Sequence, residues 1–255
     1  MSTASRKSIA ERALGLVDLT DLGDNSDQQS VGELCHRAQS PHGNVAAICI
    51  WPRMIAFAKA KLEGTGIPIA TVVNFPKGDQ TIEDTVTLTL QAIADGADEI
   101  DLVIPYHDML DGDRSTAQAM IVAIRSATFG KALLKVILET GELKDPGLIR
   151  TASDLAIAAG ADFIKTSTGK VAINATLETA EIMLQAIADS GKPVGFKPAG
   201  GIKTTEDCGA YLAVADRILG VDWASSATFR FGASSVLDDL LAAQEGKSAD
   251  TTQGY

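Results

Sequence analysis

The chain has 255 residues, of which 45% are hydrophobic and 22% charged, and its formal net charge is −11. It is too apolar for a disordered chain, and with no long Lys/Arg cluster it is not built to bind nucleic acid or an anionic lipid surface. No run approaches the roughly 20 apolar residues of a membrane-spanning helix.

In chain order, an amphipathic segment at 5–15 comes first. It is expected to precede the first strand and cap the floor of a barrel. The opening residues, MSTASRKSIAERALGL, carry Arg6, Lys7, Glu11 and Arg12 and no apolar signal-peptide core, so a cytoplasmic location is expected. Short β-rich apolar runs then alternate with longer amphipathic ones. Strands are predicted at 16–20, 45–51, 68–75, 99–105, 133–139, 162–168, 193–199 and 229–233. Helices are predicted at 27–39, 52–64, 81–95, 114–128, 146–159, 176–190, 205–218 and 234–243. Thr81 and Asp84 open one of these helices, and Gly96 follows its end, where a left-handed cap favours glycine. Eight strand–helix units of roughly 32 residues imply an α/β fold: a single (β/α)8 TIM barrel with an extra N-terminal helix. The barrel domain is read as 1–244, and the polar stretch 245–255 as a flexible tail.

Barrel interiors are normally filled by branched apolar side chains. Here Asp18, Asp101, Lys135, Lys165 and Lys197 fall inside predicted strands, the last four at intervals of 34, 30 and 32 residues. Each interval is about one strand–helix unit, which predicts comparable places on consecutive strands. Side chains alternate faces along a strand, so Asp101 shares a face with Glu99, Lys165 with Phe163 and Ser167, and Lys197 with Gly195. Buried ion pairs are poor stabilisers, and a cluster of them points to chemistry. A lysine attacks a carbonyl as the neutral amine and forms a Schiff base. That requires lowering its pKa from about 10.4 to about 7–8, a cost of roughly 4 kcal/mol. A second ammonium about 4 Å away supplies this at an effective dielectric of about 20. Spacing alone does not choose among Lys135, Lys165 and Lys197.

Three glycine-containing segments follow the sixth, seventh and eighth strands: Gly169-Lys170, Gly200-Gly201 with Lys203, and Gly232 with Ser234 and Ser235. Barrel phosphate sites use these loops and a helix N-terminus, with Ser234 and Ser235 expected to begin the last helix and donate hydroxyls. No P-loop and no strand-linked G-x-G-x-x-G is present, so no nucleotide cofactor is expected. His36, His42 and His107 form no metal-ligand spacing, so no metal is expected. Cys35, Cys49 and Cys208 are an odd set without C-x-x-C pairing, read as free thiols, and Cys49 is read chiefly as core. Lys135, Lys165, Lys170, Lys197 and Lys203 are expected to gather at one mouth as a cationic pocket in an acidic protein.

The segments FIKTSTGKV (163–171) and VGFKPAGGIKT (194–204) resemble the signatures of the 2-deoxyribose-5-phosphate aldolase family. The resemblance continues through LVDLTDL (16–22), GNVAAICIWPR (43–53), TVVNFPKG (71–78), GADEIDLVIPY (96–106), LLKVILETGEL (133–143) and FRFGASSVL (229–237), in order over nearly the whole chain. It implies a metal-independent class I aldolase on a TIM barrel. Such an enzyme reversibly cleaves 2-deoxy-D-ribose 5-phosphate to acetaldehyde and D-glyceraldehyde 3-phosphate in deoxyribonucleoside catabolism. Its partners are small sugar phosphates and aldehydes, it uses no cofactor, and it forms a homodimer. The resemblance implies Lys165 as the Schiff-base lysine, Lys197 as the lysine that lowers its pKa, Asp101 as the proton-relay partner and Lys135 as a supporting ion-pair member. It implies Asp18, Thr20 and Cys49 as pocket positions. Substrate contacts are implied at Thr166, Gly169, Lys170, Gly200, Gly201, Lys203, Gly232, Ser234 and Ser235. Lys203 stands where the family often has arginine, and loss of the bidentate fork predicts weaker phosphate affinity. Terminal Tyr255 matches the family's proton-transfer tyrosine.

Overall fold

The structure is a computed structural model, and it describes residues 3–247. Tyr255 and residues 248–255 of the expected tail lie outside them. Eight parallel strands form the barrel: β1 (Val17–Asp21), β2 (Ala47–Ile50), β3 (Ile69–Val73), β4 (Glu99–Val103), β5 (Leu133–Ile137), β6 (Phe163–Lys165), β7 (Gly195–Lys197) and β8 (Phe231–Ala233). Each pairs with its sequence neighbour, and β8 pairs with β1. The circuit closes between β7 and β8 through two parallel bridges, Phe196↔Phe229 and Ala199↔Gly232. Apart from Leu133 at one end and Thr20 and Asp21 at another, the strand residues are buried on both faces. This is why the strands read as continuous Val/Ile/Leu runs rather than alternating ones.

The outer ring is α1 (Thr3–Leu14), α2 (Gln28–Arg37), α3 (Ile55–Lys61), α4 (Ile82–Asp95), α5 (Ser115–Thr128), α6 (Pro146–Ala158), α7 (Leu177–Ser190), α8 (Thr205–Leu219) and α9 (Val236–Gln244). Sequence-coded caps set several of these ends. Thr81 accepts a hydrogen bond from the Asp84 N–H, and Gly96 ends α4 at φ 109°. Thr176 and Thr179 cap α7 reciprocally, as do Thr204 and Asp207 at α8. Such caps are worth about 1 kcal/mol each.

The extra N-terminal helix is present, but it does not close the floor. It runs along α8 and packs on α8 and α9. Arg6 pairs with Glu206 near the start of α8, and Arg12 with Asp216 near its end. Three short elements were not predicted: a hairpin (Gln39–Ser40 with Gly43–Asn44) and the single-turn helices Tyr106–Leu110 and Thr140–Leu143. The last two lie in loops beyond β4 and β5, where tertiary contacts rather than periodicity set the backbone. The predicted strands at 133–139, 162–168 and 193–199 are shorter in the fold. The first stops because Glu139 adopts the left-handed region at φ 55°. The last helix starts at Val236, so Ser234 and Ser235 precede it.

The lysines are not all level. Lys165 pairs with Lys197 and with Ile137, whereas Lys135 pairs with Asp101 and Phe163. Barrel stagger therefore sets Lys135 one pleat deeper than Lys165, which equal spacing did not reveal.

Candidate active site

The barrel interior holds one connected charge network. Lys135 Nζ lies 2.5 Å from Glu99, 3.0 Å from Asp101 and 3.4 Å from Asp18. Lys197 Nζ lies 2.5 Å from Asp18 and 2.8 Å from Asp101. Lys165 Nζ reaches one carboxylate alone, Asp101 Oδ2 at 2.7 Å. Lys197 donates to that same oxygen. Below them Arg230 bridges Asp18 at 2.6 Å and Glu99 at 2.9 Å. Three carboxylates thus face four basic side chains, and the charges balance when one of the four is neutral.

Lys135, Lys197 and Lys165, all buried, contact three, two and one carboxylates in turn, and the two with more than one are raised while the third is lowered. Burial alone would depress every one of them. For Lys135, Asp101, Glu99 and Asp18 overcome it and hold the ammonium well above the usual lysine range. For Lys197, Asp101 and Asp18 likewise overcome it and raise the pKa. For Lys165, burial wins: its pKa falls below the ordinary value, with repulsion from Lys197 adding to the depression and Asp101 opposing it. The neighbouring ammonium, expected from sequence as the main cause, is secondary to desolvation. Asp101 and Asp18 stay ionised, because the surrounding cations outweigh the burial that would raise them. Asp101 is held well below the usual range, and Asp18 also falls.

Above this network the barrel opens into a cavity of about 420 Å³ lined by Thr20, Lys165, Thr168, Gly169, Lys170, Gly200, Gly201, Lys203, Gly232, Ser234 and Ser235, among others. Backbone geometry explains two of the glycines. Gly200 has φ 83°, and a Cβ there would stand 2.6 Å from Asn174 Cβ. A Cβ on Gly232 would stand 2.7 Å from that of Ala199 and 3.1 Å from Lys197 Cε. Ser235 precedes α9 without a side-chain cap bond, and with Ser234 it brings the N-terminal end of that helix to the cavity lining. The corresponding end of α8 is different: the Lys203 and Thr204 N–H groups both donate to Asp207 Oδ2 at 2.9 Å. Lys170 leans across the mouth, 3.7 Å from Asp24.

Several sequence expectations change here. Thr166 is buried with its hydroxyl committed to Ala199, accepting from its N–H and donating to its carbonyl, so it staples β6 to β7 instead of lining the cavity. Asp18 is fully buried within the ion network, not on the cavity wall. Thr20 lines the cavity, though its hydroxyl donates to the Asp18 carbonyl. Cys49 is buried with Leu22, Ala70 and Val72 in a small apolar cluster, and burial pushes its thiol up. The five lysines do not form one cationic pocket. Lys135 and Lys197 are neutralised below, and Lys170 and Lys203 supply the positive charge at the rim. Glu99 and Arg230 were missed as members of the site. Alternation carried the signal, since Glu99 shares a face with Asp101, and Arg230 shares one with Gly232 in FRFG. Among the described residues, no group of three or more His, Cys, Asp and Glu side chains is arranged to hold a metal ion, and no helix is long and apolar enough to cross a membrane.

A family model described as DeoC/LacD family aldolase matches residues 12–240. A deoxyribose-phosphate aldolase from Agrobacterium fabrum is 58% identical over 248 residues, covering 96% of each chain. A crystal structure from Toxoplasma gondii superposes with a TM-score of 0.89 at 22% identity, over 97% of this chain and 98% of that one. The tetrameric deoxyribose phosphate aldolase from Aeropyrum pernix superposes with a TM-score of 0.75 at 23% identity, over 94% and 92%. At those identities the two structures speak for the barrel alone, whereas the family match spans most of the sequence. The chain belongs to the DeoC/LacD family of aldolases.

Proposed function

We propose that this enzyme reversibly cleaves 2-deoxy-D-ribose 5-phosphate to acetaldehyde and D-glyceraldehyde 3-phosphate through a Schiff base on Lys165. The observation that carries the assignment is the carboxylate ladder: of the three buried lysines, Lys165 alone touches one carboxylate and alone is depressed. It is also the one that lines the open cavity.

Neutral Lys165 attacks C1 of the open-chain sugar, and loss of water gives an iminium. Asp101 Oδ2, 2.7 Å from the nitrogen, stabilises the new cation. Removal of the C3 hydroxyl proton breaks the C2–C3 bond. Its electrons enter the iminium as an enamine, and glyceraldehyde phosphate leaves. Protonation of the enamine and hydrolysis release acetaldehyde. Asp101 is too weak a base to hold a proton for long, surrounded as it is by cations. It serves as the conduit, through water or Lys197, while Lys197 is the proton store.

The substrate phosphate is assigned to Gly169, Lys170, Gly200, Gly201, Lys203, Gly232 and the Ser234–Ser235 end of α9. Open N–H groups, rim cations and left-handed glycines support that reading. The reading extends to a homodimer in the cytoplasm, and the three buried free thiols agree with a reducing compartment. Borohydride reduction in the presence of acetaldehyde, followed by peptide mapping, tests the central step. The expected adduct is on Lys165, and an adduct on Lys135 or Lys197 overturns the assignment.

A further inference from the structure

Glu139 takes no part in the chemistry above, yet its environment is unusual. It is a fully buried carboxylate in the left-handed region, at φ 55° and ψ 58°. Among the described residues no lysine or arginine forms an ion pair with it. A side chain with a Cβ is strained in that conformation, and an unpaired buried carboxylate is costly. The hydrogen bonds of its carboxylate all come from one residue. The Thr168 hydroxyl donates to Glu139 Oε2 at 2.6 Å, and the Thr168 N–H lies 3.3 Å from both carboxylate oxygens. The Thr168 hydroxyl in turn accepts from the Lys170 N–H at 3.0 Å. Gly169, at φ 82°, turns the chain back so that this last bond can form.

Tying two strand ends together does not account for the arrangement. Backbone bonds from Leu138 N–H to the Lys165 carbonyl and from Thr140 N–H to the Thr166 carbonyl, both 2.9 Å, already join those segments. What Glu139 adds is the next three residues, 168–170, where the chain leaves β6 and passes along the cavity.

We infer that Glu139 is a positioning residue for the anion-binding loop, acting through Thr168 to fix the Gly169–Lys170 backbone and so the affinity for the phosphate end of the substrate. The inference rests on the assignment of the phosphate to that loop. The carboxylate accepts the Thr168 proton, which leaves the hydroxyl oxygen free to accept from Lys170. Without Glu139, the hydroxyl is free to rotate and the loop loses its anchor.

The test compares 2-deoxyribose 5-phosphate with 2-deoxyribose in wild type, Thr168→Val, Thr168→Ser and Glu139→Gln. In Thr168→Val the side chain keeps its shape and loses the relay. KM for the phosphate ester is expected to rise about tenfold, the scale of one buried hydrogen bond. The activity on 2-deoxyribose, which carries no phosphate, is expected to change by a smaller factor. Thr168→Ser retains the hydroxyl and restores the wild-type KM. Glu139→Gln raises KM in the same way, and the double variant is no worse than Thr168→Val, because both act on one relay. A loss shared equally by both substrates, or no loss, overturns the inference while leaving the phosphate assignment intact. A wild-type enzyme that does not distinguish the two substrates overturns both. If Glu139→Gln does not fold, Thr168→Val and Thr168→Ser alone decide the matter.

Discussion

Two layers of the barrel interior share one vocabulary of charge and use it in opposite ways. In the lower layer Lys135, Glu99 and Arg230 saturate one another: Lys135 meets three carboxylates, and Arg230 bridges two. In the upper layer Lys165 meets one. Both lysines are buried, so burial does not distinguish them. What differs is the number of anions each nitrogen reaches, and this moves one lysine up and the other down. The lesson is that a low pKa is produced here by withholding partners, and the lower layer is what withholds them. It occupies Glu99 and one oxygen of Asp101 before Lys165 can use them.

The contrast is broken most completely at Lys165. Lys165→Met removes the nucleophile, and turnover is expected to fall to background with no borohydride-trapped adduct. Asp101→Asn is expected to lower kcat by about 10²–10⁴-fold, the range for a positioned proton-transfer group. Its pH profile carries the sharper information. The active amine is the neutral form, so the rate falls as pH drops through the Lys165 pKa. Asp101 raises that pKa, so Asp101→Asn moves the acid limb to lower pH even as the rate drops. Lys197→Met does the reverse. It removes the repulsion and leaves Asp101 Oδ2 to Lys165 alone, and both changes raise the pKa. The acid limb moves to higher pH, by about one unit for each 1.4 kcal/mol of altered interaction. Limbs that move in the same direction in the two variants would break the ladder account. In the lower layer, Lys135→Met leaves Glu99 and Asp18 short of a buried cation. About 3–5 kcal/mol of stability should be lost, measured by urea unfolding, with Schiff-base trapping on Lys165 retained in the folded fraction.

The barrel was legible because strand and helix periods alternate eight times and cap residues mark the helix starts. Its mouth was less so. Glu139 and Thr140–Leu143 leave the strand pattern because of contacts with residues 166–168 just beyond the next strand, which no local period encodes. Charged strand positions identified Asp18, Asp101, Lys135, Lys165 and Lys197 as a group, and the family signatures selected Lys165 from among the lysines. Spacing did not give the depth of Lys135, because the stagger of a closed barrel is a property of all eight strands together. Thr166 was misjudged because it sits in a signature whose neighbours line the cavity, while its own hydroxyl faces the β6–β7 junction.

At the rim the contrast is between two cations rather than two layers. Lys170 is drawn towards Asp24, whereas no ion pair engages the exposed Lys203 side chain among the described residues. The Lys203 backbone is held by Asp207 at the start of α8, so its Cα is fixed while its ammonium remains available to an anion. A lysine meets phosphate as a point charge, and an arginine meets it with a planar fork. Lys203→Arg is therefore expected to lower KM for 2-deoxyribose 5-phosphate about three- to fivefold, with kcat and activity on 2-deoxyribose unchanged. This is the smallest effect predicted, and it is also the most selective, since it adds one bond at the end of the substrate farthest from Lys165. A KM unchanged by the substitution would mean that the phosphate is bound by the backbone of the glycine loops and the open end of α9, with the side chain at 203 acting only through the bulk field.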